Sequence, residues 1–298
     1  MKNILIIGCG LIGSSLLRAI VKKKISEKIF IYEKSKINIG KIKRLKLPCT
    51  VINDFKNVIP KSDLIIFCTP MSEYEKIILK INKHLLPKTI ITDIGSSKET
   101  SLKLIKRKLK KGITWTSSHP ISGSEVSGPE FGDSNLFLNK WCILIKEKNS
   151  NKKHLSFLSK FWKKIGSKVT TMNSKKHDEI FSMTSHLPHL IAYNLVKTAT
   201  DFEKQKKFNL IKFSAGGLRD FSRIAASNEI MWRDIFFNNQ SNISKAIDLF
   251  IKNLKSFKKD INSKNNESLI RKLIETKKVR KKIIKLKQDI NKPDFGRN

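Results

Sequence analysis

The sequence predicts an α/β fold: an open, doubly wound sheet over residues 1–172, followed by an all-helical domain over residues 173–298. Three observations predict it. Through the first half, short apolar runs alternate with segments of helical period, the pattern of parallel strands joined by crossover helices. A glycine cluster, GCGLIG at 8–13, falls between the first apolar run and the first helical segment. Near Asn173 the strand signals stop, and long helical patterns rich in Ile, Leu and Phe take over.

Taken in order, the runs 3–7, 28–33, 49–52, 63–68, 89–93, 113–117 and 141–145 are short, apolar and bounded by turn residues, so each is a predicted strand. A last strand at 168–172 closes the sheet domain. Residues 11–24, 72–83 and 98–110 carry apolar positions at helical spacing. In the second domain, helices are predicted over 175–207, adjusted at Pro188, and over 229–237, 243–264 and 267–288, before a polar tail from Asn291. Helices this long and apolar bury their faces against a second copy of themselves, which predicts a homodimer.

At 298 residues the chain has room for about two domains and a sizeable core. Its formal charge of +36 is spread along the sequence, with lysine accompanying isoleucine and asparagine, rather than gathered into a stripe. Nucleic acid is therefore not an expected partner. Cys9, Cys49, Cys68 and Cys142 show no CxxC spacing and read as reduced core residues of a cytoplasmic protein. The amino terminus imitates a signal peptide, yet the apolar run 4–7 is short and basic helical sequence follows it, so a retained strand is expected. No stretch approaches the roughly twenty apolar residues that span a bilayer.

Gly8, Gly10 and Gly13 stand directly after a strand and at the start of a helix. In that context the first permits a tight turn, the second lets backbone approach a pyrophosphate, and the third lets helix and strand pack closely. This is the Rossmann-type arrangement, with phosphates seated on the helix N-terminus where Leu11 and Ile12 begin it. Glu33 ends the second strand, where a carboxylate accepts hydrogen bonds from a ribose diol and repels an added phosphate. NAD is thus expected rather than NADP, with Thr69, after the fourth strand, at the same site.

Two further segments lie at carboxyl ends of predicted strands, where open parallel sheets bind ligands. DIGSSK at 93–98 turns into a helix, and SHPISGSE at 118–125 opens a glycine-rich loop. Oxidising a carbinol requires the hydroxyl proton to leave as hydride departs, and His119 is the candidate acceptor. The window FSAGGLRDFSRIAASNEIMWRD at 213–234 holds three of the nine arginines, Arg219, Arg223 and Arg233, in a chain that otherwise uses lysine. A planar guanidinium grips a carboxylate or phosphate through two parallel hydrogen bonds. An anionic small molecule or a buried ion-pair network is implied.

In this order, GCGLIGSSL, DIGSSK, SHPISGSEVSGPEFG, HDEIFSMTSHLPHLIAYNL and GGLRDFSRIAASNEIMWRD resemble the prephenate dehydrogenases of the TyrA family, which includes arogenate and cyclohexadienyl dehydrogenases. The resemblance runs over residues 3–237. It implies NAD-dependent oxidation of prephenate or arogenate with loss of carbon dioxide, on the way to tyrosine. By the same resemblance His119 is the catalytic histidine and Ser96 orients the substrate hydroxyl. Arg223 grips a substrate carboxylate, His189 belongs to the substrate site, and Glu125, His186 and Trp232 lie near the pocket.

Three alternatives remain at this point. His177, His186 and His189 with Asp178 or Glu179 could form a metal cluster, but the spacing is not HExxH and no metal is expected. A beta-hydroxyacid dehydrogenase or imine reductase would want a lysine on the helical domain. A basic nucleotide- or nucleic-acid-binding protein without catalysis would leave His119 and Ser96 without a task.

Overall fold

Ile4, Leu5, Ile6 and Ile7 are all fully buried, and successive side chains feed two different cores. Ile4 and Ile6 join one cluster, Leu5 and Ile7 the other, as the two-residue period of a strand requires. A strand covered on both faces reads as an unbroken apolar run, which is why residues 4–7 show no polar alternation. In the computed structural model, which describes residues 1–207 and 209–286, this strand is β1 (Asn3–Ile7). It lies at the centre of a parallel five-stranded sheet, between β2 (Lys28–Tyr32) and β4 (Leu64–Phe67). β3 (Thr50–Ile52) and β5 (Ile90–Asp93) form the two edges, giving the order β3-β2-β1-β4-β5.

Helices cover both faces. On one side, α1 (Leu11–Lys22), α2 (Lys36–Arg44) and, later in the chain, Lys152–Ile165 contribute Leu16, Ile20, Ile42, Leu158 and Trp162. On the other, α3 (Tyr74–Ile81) and α4 (Glu99–Lys108) contribute Tyr74, Ile78 and Ile105. Each of these side chains, fully buried, stabilises the fold by about 1.5–3 kcal/mol. The sheet is therefore doubly wound, with its ligand edge at the carboxyl ends of β1, β4 and β5.

The predicted strand at 113–117 is displaced. A single parallel bridge joins Ile91 to Trp115, and the next strand, β6, is Ser118–Pro120. The Ser118 hydroxyl donates to the Asp93 carbonyl at 2.9 Å and lies 2.8 Å from Thr92 Oγ1, so side chains replace a ladder between β5 and β6. β6 runs antiparallel to β7 (Trp141–Ile145), which pairs in parallel with β8 (Lys168–Met172). The helix that joins the last two is α5 (Lys152–Ile165), begun by the Asn151 side chain on the amides of Lys153 and His154. It ends at Gly166, whose φ of +110° is left-handed.

Beyond β8 the described chain is helical: α6 (Ser174–Phe181), α7 (Leu187–Lys206), α8 (Gly216–Ala225), α9 (Glu229–Asn238), α10 (Gln240–Asn262) and α11 (Asn266–Lys285). The adjustment expected at Pro188 takes the form of a π turn, Ser182–His186, between α6 and α7. Proline removes a helical donor and crowds the carbonyl four residues earlier, and a widened turn relieves that crowding. α9 docks on the sheet domain through Trp232 and Ile235, and through Asp234, which accepts from the Ser72 amide at 2.8 Å. The end of the helix predicted to 288 and the tail from Asn291 lie outside the described residues. Among the described residues, no helix is long and apolar enough to cross a membrane.

Candidate active site at the sheet edge

A cleft of about 1280 Å³ runs from the β1–α1 turn to α8 and α9. Its floor is the glycine turn. Gly8 has φ +90° and donates to the Tyr32 carbonyl at 2.8 Å. A Cβ on Gly13 would stand 2.2 Å from the Gly8 carbonyl oxygen, so any side chain there would force α1 off the sheet. In front of Gly10 a Cβ would meet nothing within 4 Å. No side chain caps α1, which leaves its first-turn amides and positive dipole end facing that open space.

Glu33 is pinned by two backbone donors, Cys9 N to Oε2 and Ser35 N to Oε1, each at 2.9 Å. The remaining lone pairs of its carboxylate are available to a diol. Lys34, beside it, is committed to Glu73 at 2.9 Å. Thr69 Oγ1 is buried with no partner among the described residues, and Thr69 lines the cleft with Leu11 and Ile12. These features fit a dinucleotide: an amide cradle for phosphates, a carboxylate for a ribose, and an unsatisfied hydroxyl between them.

His119, on β6, reaches the same cleft with 8% of its surface exposed. Its Nδ1 is 2.8 Å from His177 Nε2, and His177 Nδ1 is 2.7 Å from Asp178 Oδ1. Both histidines pack against the Phe181 ring, His119 edge-on and His177 tilted, with ring centroids 5.0 and 4.5 Å away. Asp178 also accepts from the amides of Lys98 and Glu99, at 2.9 and 2.8 Å, and so caps α4 from another domain. Burial pushes His119 well below the ordinary histidine range, helped by His177, Lys98 and His186. Burial also lowers His177, although Asp178 works against it.

Beneath them lies Lys98, wholly buried. Its ammonium donates to Asp93 Oδ2 at 2.6 Å and to the Ser118 carbonyl at 2.8 Å. Burial works against the Asp93 charge, but Lys98 and further hydrogen bonds outweigh it, and the carboxyl sits below its usual range. Trp115 Nε1, at 2.9 Å, makes one of those bonds, and the Gly95 amide also donates to Asp93 at 3.0 Å. Ser96, two residues before Lys98, lines the cleft.

The helical wall carries Arg223, whose Nη1 is 3.6 Å from Glu125 Oε2 and whose buried Nε has no partner among the described residues. His189 stacks on Trp232, centroids 3.8 Å apart and 22° between planes, and its Nδ1 lies 2.9 Å from the Ser185 carbonyl. His186 does not line the cleft: it is fully buried, with Nδ1 3.1 Å from the Asn239 amide nitrogen. Burial takes its pKa down to about 4. Of the three clustered arginines only Arg223 faces the cleft; Arg219 is exposed and Arg233 pairs with Asp234 at 2.8 Å. Among the described residues, no group of three or more His, Cys, Asp or Glu is arranged to hold a metal ion. His177, Asp178, Lys98 and Asn239 form a buried polar network that sequence reasoning did not assemble.

Residues 16–171 match the family model of the prephenate dehydrogenase nucleotide-binding domain, and residues 173–275 that of the prephenate dehydrogenase dimerization domain. A cyclohexadienyl dehydrogenase of Zymomonas mobilis is 32% identical over 279 residues, covering 94% of this chain and 95% of that protein. A solved prephenate dehydrogenase of A. aeolicus, in complex with hydroxyphenyl propionate and NAD+, superposes with a TM-score of 0.88. It is 33% identical and covers 95% of this chain and 98% of its own. A 3-hydroxyisobutyrate dehydrogenase of Mycobacterium tuberculosis, 12% identical with a TM-score of 0.51 over 76% of this chain and 72% of that one, shares the fold alone. With both domains matched and near-complete coverage of a relative, the chain belongs to the prephenate dehydrogenase family.

Proposed function

We propose that this chain catalyses the NAD-dependent oxidative decarboxylation of prephenate, arogenate or both, yielding 4-hydroxyphenylpyruvate or tyrosine. The observation that carries this reading is that His119 and Arg223, from different domains, line the cleft that also holds the glycine turn and Glu33. Gly8, Gly10 and the start of α1 seat the pyrophosphate, Glu33 takes the ribose, and Thr69 Oγ1 adds a hydrogen bond. When bound, the nicotinamide takes up a hydride from the hydroxyl-bearing carbon of the substrate ring. Arg223 holds a substrate carboxylate in place of Glu125, and the stacked His189 and Trp232 wall the ring. Ser96 orients the ring hydroxyl, whose proton His119 accepts through Nε2. Departure of the second carboxylate as carbon dioxide feeds its electrons into the ring, and aromatisation makes the sequence irreversible.

The lining contributed by the helical domain includes Arg223 and His189 and no lysine among the described residues, which disfavours a beta-hydroxyacid or imine reductase chemistry. The exposed apolar residues Leu249, Leu254, Ile261, Leu273 and Ile274 on α10 and α11 suit a second copy of the chain, supporting a homodimer. Four free cysteines suit a cytoplasmic setting. The test is NADH production by the purified protein given NAD and each substrate separately. NADH with release of carbon dioxide from at least one is expected; none from either would refute the proposal.

A further inference from the structure

We propose that His177 and Asp178 form a proton reservoir, taking the substrate's hydroxyl proton through His119 and returning it to the product. The inference rests on the activity proposed above. Asp178 is fixed by the Lys98 and Glu99 amides, and its main-chain carbonyl accepts from Asn239 at 2.8 Å. A carboxylate only accepts, so His177 carries its proton on Nδ1. Neutral His177 then offers a lone pair at Nε2, which assigns a proton to His119 Nδ1 and leaves His119 Nε2 as the basic nitrogen available to the cleft. The two rings are thus set in the tautomers that a concerted two-proton transfer needs.

Charge placement gives the transfer its direction. The charged and titratable groups acting on His119 are His177, Lys98 and His186; those acting on His177 are Asp178, Lys98 and Asp93. Lys98 opposes a positive charge on either ring. Asp178 touches His177, and among the described residues nothing anionic is in hydrogen-bond contact with His119. A proton arriving at His119 is therefore better held one ring further in.

The step balances. As hydride departs the ring carbon with its electron pair, the O–H bond breaks, its electrons form the C=O bond, and the proton goes to His119 Nε2. The Nδ1 proton of His119 moves to His177 Nε2, leaving an imidazolium beside Asp178. On loss of carbon dioxide the breaking C–C pair enters the ring and the oxygen becomes phenolate. That oxygen recovers a proton from His119 Nε2, His119 recovers one from His177, and the protein ends as it began.

The discriminating variant is His177→Gln, whose amide oxygen can still accept from His119 Nδ1 but cannot take up a proton. Expected are a fall in kcat of about tenfold to a hundredfold, a KM within about twofold, and an NADH affinity by fluorescence equal to wild type. A wild-type kcat would overturn the reservoir and reduce His177 to a positioning residue. In the wild-type enzyme, nitrogen NMR of the imidazoles without substrate should show protons on Nδ1 of both rings; a proton on His119 Nε2 would overturn the proposal. Should the variant fail to fold, the single-turnover rate of wild type in mixtures of light and heavy water should curve, as two protons in flight require, and a straight line would overturn it. Failure of the activity itself is separable: wild type would then make no NADH at all, whereas failure of the reservoir alone leaves an active wild type beside an equally active His177→Gln.

Discussion

The Arg223 guanidinium lies 3.6 Å from the Glu125 carboxylate, so α8 and the loop after β6 meet across the mouth of the cleft through opposite charges. On the proposed reading, a substrate carboxylate competes with Glu125 for that arginine. Arg223→Ala should raise KM by about tenfold to a hundredfold, the loss of a charged hydrogen bond, with a smaller effect on kcat. Glu125→Gln should lower KM about two- to fivefold, because an exposed pair of this kind contributes under about 1 kcal/mol. Steady-state kinetics on both variants checks the pair, and a KM unchanged in Arg223→Ala would make that side chain structural.

On the proposed mechanism, His119→Asn removes the proton acceptor at the cleft. A loss of about a hundredfold or more in kcat is expected, with cofactor affinity unaltered in a fluorescence titration. Near-normal turnover would remove His119 from the mechanism.

On the proposed reading, Glu33 sets the cofactor. Glu33→Ala leaves the ribose without its acceptor and lifts the repulsion of an added phosphate, so the preference for NAD over NADP should fall by about tenfold or more. Comparing kcat/KM for the two cofactors measures it; an unchanged ratio would place discrimination elsewhere.

Lys98 and Asp93 sustain one another at full burial. Lys98→Met strands a buried carboxylate and should cost about 3–5 kcal/mol in denaturant unfolding, and adding Asp93→Asn should recover part of that. If Lys98→Met unfolded at the wild-type midpoint, the ion pair would hold nothing together.

Acid should weaken the fold through its histidines. His119, His177 and His186 all sit below the ordinary histidine value when folded, so the unfolded chain binds protons that the folded chain refuses. Stability is complete above about 6.5 and is lost as pH falls toward the folded values. His186 alone, at about 4, accounts for on the order of 3 kcal/mol. Unfolding midpoints measured between neutral and acid pH should decline, and His186→Phe should flatten the decline; a level curve in wild type would contradict it.

The strands were legible because Ile4 to Ile7 and Leu64 to Phe67 are buried on both faces, and such burial demands unbroken apolar runs. The glycine turn was legible because its spacing answers a steric need visible at Gly8 and Gly13. β6 was placed a few residues early, since Ser118 ties the sheet together through its hydroxyl, which no periodicity registers. The contact between His119 and His177 spans 58 residues and two domains. Read along the chain, His177 and Asp178 offer only a metal cluster whose spacing argues against it, and only the fold shows their other partners. His186, which the sequence places near the pocket, does not line the cleft but is buried against Asn239.

Because a carboxylate of the helical half caps α4 and an imidazole of that half holds His119, the labour of the enzyme divides unequally along its length. A fragment ending after β8 would keep the glycine turn, Glu33 and Thr69, yet His119 would lose its contact with His177. On the proposed reading, cofactor recognition is local to one half, whereas acid–base competence belongs to neither alone and exists only where the two are joined.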